Sequence, residues 1–112
     1  MDHHVRVAYL LTFYGKVLTP RQQEMMRLTY EEDWSLSEIA SAFEVSRQAV
    51  HDALRRAEAS MEELDQSMGL IERILEVERE LEDCLALTES PEVRQKLRHT
   101  LEVLKGEDNH GL

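Results

Sequence analysis

Apolar residues recur along most of this chain at intervals of three and four, the spacing of one face of an α-helix. Val5, Ala8, Tyr9, Thr12 and Phe13 follow that rhythm and predict a first helix from about His4 to Lys16, with Leu11 and Tyr14 widening the stripe. Gly15 weakens its end, and the helix should stop by Leu18. Thr19-Pro20 is a start signal: a threonine that can cap free N–H groups, then a proline whose missing N–H costs nothing at the first helical position. The second helix therefore runs from Pro20 to about Glu31, with Met25, Leu28 and Thr29 inward and Tyr30 alongside. "EEDW" breaks the pattern.

Ser35-x-x-Glu38 reads as a capping box opening a third helix of about two turns, with Leu36, Ile39, Ala40 and Phe43 at i, i+3, i+4 and i+7. Glu44-Val45 forms a turn, and Ser46 is the next N-cap. The fourth helix carries Ala49, Val50, Ala53, Leu54, Ala57, Met61 and Leu64, and should end near Gly69, which suits a C-terminal cap. Leu70, Ile74, Val77, Leu81 and Cys84 step by four and three along a fifth helix, Leu70 to Leu87, as in a heptad seam. Ser90-Pro91 starts a sixth helix with Val93, Leu97, Leu101 and Leu104. The expectation is an all-α protein of five or six helices: a domain over 1–69, a C-terminal helical hairpin over 70–105 that packs on the fourth helix or dimerises, and a frayed polar tail over 106–112.

Residues 35–57 have the form of a helix-turn-helix: a short helix, a tight turn, and a second helix with a polar outer face. Measured from Arg47 at 100° per residue, His51, Arg55 and Gln48 fall at about 40°, 80° and 100°, while the apolar residues fall at about 200–340°. Arg47, Gln48, His51 and Arg55 thus form one exposed patch. Arginine and glutamine suit guanine and adenine edges in a major groove, and the helix start with Ser46 suits a phosphate.

Charge complicates this picture. The 112-residue chain carries formal charge −10, which opposes binding to a polyanion. The charge is unevenly spread: residues 58–112 hold 6 basic and 15 acidic side chains, net −9, whereas residues 35–57 hold three of each. The motif is therefore neutral and the later helices acidic. Asp52 and Glu58 still border the patch, and so few cations give weak, salt-sensitive binding unless dimerisation doubles them. A homodimer is the favoured state, and it would present two recognition helices.

Other chemistry is poorly supported. The five histidines are scattered without metal-ligand spacing. No Gly-rich phosphate loop, nucleophile elbow or Cys/His arrangement is present, so neither enzyme activity nor a cofactor is expected. Cys84, the sole cysteine, is expected to be a buried, inert thiol and fits a reducing cytoplasm. The longest apolar run, "VAYLL", is far short of the about 20 residues of a membrane span, and no signal peptide is apparent, so a cytoplasmic location is expected. Trp34 is expected to cover the edge of the helix-turn-helix core.

"LTPRQQEMMRLTYEEDWSLSEIASAFEVSRQAVHDALRRAE" resembles the YlxM/p13-like bacterial proteins, the UPF0122 family, well over about residues 8–70. "FYGKVLTPRQ", "YEEDWSLSEIA" and "VSRQAVHD" are close to the family pattern. The resemblance implies a fold like region 4 of sigma factors, which reads promoter DNA, with DNA-facing positions at Ser46, Arg47, Gln48, His51 and Arg55. Genes of the family tend to lie beside those of the signal recognition particle, which implies a role in that pathway. Two readings follow: a DNA-binding regulatory protein, or an adaptor contacting the particle's GTPase or RNA with acidic helices. The chain departs from the family at Glu44, where glycine or asparagine is common, and in its low lysine content.

Overall fold

The computed structural model describes residues 1–107. Among the described residues six α-helices follow in order: α1 (His3–Tyr14), α2 (Pro20–Tyr30), α3 (Leu36–Phe43), α4 (Arg47–Met68), α5 (Leu70–Leu87) and α6 (Pro91–Lys105), with a 3-10 turn at Gly15–Val17 after α1. No strand occurs among the described residues. The chain divides into two compact units, Met1–Met68 and Gly69–Leu112. The frayed tail expected over 106–112 lies largely outside the described residues.

In the first unit, α4 packs against α1, α2 and α3. Its buried stripe is Val50, Leu54, Ala57 and Met61, which meets Val7 and Leu10 of α1, Met25, Met26 and Leu28 of α2 and Ile39 and Ala40 of α3 in the core. The inward face of α1 differs from the expected one. Val7, Leu10 and Tyr14 are buried, while Val5 is exposed. Almost every position of α1 after Arg6 is apolar or aromatic, so periodicity alone selects no face. Polar anchors make the selection. The Tyr14 hydroxyl donates to Asp65 Oδ1 at 2.7 Å. Arg6 donates to both Glu62 oxygens at 2.8 Å and to Asp65 Oδ2 at 3.0 Å. These bonds turn Arg6 and Tyr14 toward α4 and rotate Val5 outward. At the other edge the Tyr30 hydroxyl donates to Glu58. Burial, and then that carboxylate, push the Tyr30 hydroxyl pKa up.

In the second unit, α6 packs back along α5. Arg94 locks the turn between them: its guanidinium donates to the Leu85 carbonyl at 2.7 Å and the Thr88 carbonyl at 3.4 Å. It thereby satisfies carbonyl oxygens at the end of α5 and places a cation at the negative end of that helix. Arg94→Ala should lower unfolding stability by about 1 kcal/mol, because one short, part-buried, charge-assisted bond and one longer bond are lost; chemical denaturation of the purified variant checks this.

The buried line on α5 is Ile71 and Glu78, with Ile74, Leu81 and Leu85 half-buried beside it. The predicted seam is therefore turned by a fraction of a turn. Ile74 and Leu81 lie partly inward, whereas Val77 is 45% exposed. Cys84 is exposed as well, contrary to the buried thiol expected. Trp34 is 37% exposed, and its backbone N–H anchors the loop by donating to the Leu28 carbonyl at 2.9 Å.

Candidate nucleic-acid interface

The α3–turn–α4 segment is built from successive caps. Ser35 Oγ accepts from the Glu38 N–H at 3.1 Å, and the Glu38 carboxylate accepts from the Ser35 N–H at 2.9 Å. The expected capping box is thus formed, and hydrogen bonding to the Glu38 carboxyl from Ser35, its backbone N–H first and its side chain second, holds that carboxyl below its usual value. Upstream, Thr19 and Gln22 make a second capping box at the start of α2.

Helix α3 ends at Glu44, which is left-handed with φ 56° and ψ 45°. The Glu44 N–H donates to the Ser41 carbonyl at 3.3 Å, and the Val45 N–H donates to the Ala40 carbonyl at 3.0 Å. This paired pattern is a Schellman motif, normally closed by glycine because a Cβ is strained at positive φ. Glu44→Gly should raise stability by about 0.5–1 kcal/mol, the relief of that strain exceeding the added flexibility of the unfolded chain. A higher melting temperature with unchanged helical content is the expected measurement.

Ser46 then caps α4. Its Oγ accepts from the Ala49 N–H at 3.0 Å, and its carbonyl accepts from the Val50 N–H at 3.2 Å. The turn therefore delivers the start of α4 in a fixed orientation. Val50, with no exposed surface, and Leu54 face the core. Ser46, Arg47, Gln48, His51 and Arg55 are all exposed. The structure brings the predicted residues together at the start of one helix, with the core on its opposite side.

Within the patch, Arg47, Gln48 and His51 line a shallow concavity of about 420 Å³ together with Leu36 at the start of α3. Leu36, a core position of α3 by periodicity, also supplies an apolar wall between polar groups. Gln48 Nε2 donates to Asp52 Oδ1 at 2.9 Å, and His51 Nδ1 lies 3.8 Å from the same oxygen. Asp52 therefore holds the amide nitrogen of Gln48 and leaves its amide oxygen outward. No ion pair engages Arg47 or Arg55 among the described residues, so both guanidinium groups are available to an anion. A further cation escaped the sequence reading. Arg21 of α2 sits over the ring of Phe43, 5.3 Å from its centroid, beside the turn that leads into α4. Its position depends on how α2 and α3 pack, which no local signal reports.

Comparison with known proteins decides the family. Residues 1–104 match the family described as "Putative helix-turn-helix protein, YlxM / p13 like". The chain belongs to the UPF0122 family. A UPF0122 protein of Symbiobacterium thermophilum is 45% identical over 95 residues, covering 82% of this chain and 89% of the relative. One from Halalkalibacterium halodurans is 36% identical over 108 residues, covering 94% of this chain and 99% of the relative. One from Exiguobacterium sibiricum is 49% identical over 70 residues, 62% of this chain and 66% of the relative. The family is described by its helix-turn-helix and not by an enzyme activity.

Among the described residues, no three His, Cys, Asp or Glu side chains are grouped to hold a metal ion. No helix among them is long and apolar enough to cross a membrane.

Proposed function

We propose that this protein is a DNA-binding regulatory protein that inserts the start of α4 into the major groove of duplex DNA. The observation that carries this reading is the exposed face of Arg47, Gln48, His51 and Arg55, presented by a doubly capped helix-turn-helix. Arginine can donate two bonds to a guanine edge, and glutamine can engage adenine. The Ser46 hydroxyl accepts from the helix and keeps its own proton for a phosphate oxygen. With the acidic charge concentrated after residue 57, the exposed arginines of the otherwise neutral motif supply the local positive charge and the rest of the chain suppresses indiscriminate binding to polyanions. The protein acts in the cytoplasm as a homodimer, which doubles a contact set too small to hold DNA alone.

Selection of duplexes from a random pool by the tagged protein at low salt, followed by sequencing, tests this reading. Enrichment of a short motif is expected. A pool that remains random after several rounds would contradict it.

The acidic C-terminal half favours a second reading, in which the protein is an adaptor in the signal recognition particle pathway. An excess of carboxylates complements a basic partner surface such as that of an RNA-binding GTPase. Retention of the particle's GTPase or RNA on the immobilised protein at moderate salt is the outcome that reading requires.

A further inference from the structure

The row Leu70, Ile74, Val77 and Leu81 lies on an edge of α5 that is still partly open to solvent. Val77 is 45% exposed, and the other three are half-buried. Two exposed charges of opposite sign, Arg73 and Glu80, flank the row on one side, seven residues apart. Along the rest of the exposed surface of α5 stand Glu72, Glu76, Glu82 and Asp83, with Arg79 the one cation among them. A second copy of this acidic chain would be repelled at those carboxylates and accepted along the flanked row.

We propose that this edge of α5 is a homodimer contact in which two copies of the helix run antiparallel. In a heptad frame Ile74 and Leu81 occupy the a positions, Leu70 and Val77 the d positions, and Arg73 and Glu80 the g positions. An antiparallel pair stacks a against d. Ile74 then lies opposite Val77 of the second copy, and Leu70 opposite Leu81. That same offset brings Arg73 across from Glu80 of the second copy, and two-fold symmetry makes the ion pair twice. A parallel pair is less suitable. It sets Arg73 against position 78, where Glu78 is buried, and it stacks the two Cys84 side chains on each other. In the antiparallel register the two Cys84 residues stand roughly 25 Å apart along the axis, at 1.5 Å rise per residue. A contact of one helix pair lies at the small end of specific interfaces, so association on the order of micromolar strength is expected. This inference concerns self-association and requires no DNA.

Sedimentation equilibrium of the full chain over about 1–200 µM tests it, with circular dichroism to verify helical content. Wild type should show a monomer–dimer equilibrium. Val77→Glu, Arg73→Glu and Glu80→Arg should each weaken it roughly tenfold, because each places like charge or a carboxylate in the contact. The Arg73→Glu/Glu80→Arg double variant should recover wild-type association, since the pair is restored in reverse. Oxidation of the wild-type dimer should produce no disulfide-linked species. A monomeric wild type at the highest concentration would overturn the proposal. So would failure of the double variant to recover, or efficient cross-linking through Cys84 within the dimer, which the proposed register holds apart.

Discussion

Arg47→Ala/Arg55→Ala should bind duplex DNA at least about 30-fold more weakly than wild type, each well-placed arginine contributing roughly 1–3 kcal/mol in a groove. Both side chains are exposed and unpaired among the described residues, so their truncation removes no internal bond. The variant should melt as the wild type does. Affinity should also become less salt-dependent: removing two cations from a phosphate-facing surface flattens the log–log salt slope by up to about 1.8. Fluorescence anisotropy on an enriched duplex, repeated across a salt series, checks both statements. Equal affinity and equal slope would remove these arginines from the interface. Asp52→Asn should move affinity in the other direction, since Asp52 is a carboxylate on the same face, bonded to Gln48.

The second large effect concerns the fold that supports α4. Asp65→Ala should destabilise the protein by about 3 kcal/mol, the usual cost of removing one member of a largely buried charge pair. Asp65 is only 8% exposed. It accepts from the Tyr14 hydroxyl and from Arg6, so its loss removes the acceptor of a buried phenol and one of the two carboxylates that hold Arg6. For a domain of this size that corresponds to a fall in melting temperature of more than about 10 °C. Calorimetry checks it, and a variant that melts within two or three degrees of wild type would contradict the role given to this carboxylate.

The same α1–α4 contact makes stability depend on acid. The hydrogen bond from Arg6 is the main cause that holds the Glu62 carboxyl below its usual value of 4.5. A carboxyl depressed in the folded state stabilises fully above its unfolded value and loses that contribution as pH falls through the folded one. Glu24 beside Arg27 and Glu38 at its cap are depressed too. Urea midpoints should therefore be flat near neutrality and decline below about pH 4.5, the side on which these groups take up protons.

The caps were the most legible feature of the sequence. Ser35 with Glu38, Thr19 with Pro20, Ser46, and Ser90 with Pro91 each act within three residues, so their chemistry is readable without knowing the fold. The stop at Gly69, which adopts φ 61°, and the strained turn at Glu44 are of the same local kind. The predicted patch Ser46–Arg55 was also legible, because a helix with one strongly apolar face has only one place for its polar residues. Faces of α1 and α5 were not. Helix α1 is apolar nearly all round, and the face that is buried follows from Arg6 and Tyr14 reaching residues more than 50 positions away. Helix α5 offers two adjacent apolar lines, and the exposure of Val77 and Cys84 follows from which line is buried. Arg21 over Phe43 joins two helices, so neither residue announces the other.

The claim that the start of α4 meets DNA is tested most directly by amide chemical-shift mapping of the labelled protein with an enriched duplex. Perturbations should concentrate at residues 46–55 and at Leu36, with α5 and α6 unchanged. Shifts confined to residues 70–105, or no saturable shifts at any ratio of duplex, would contradict it.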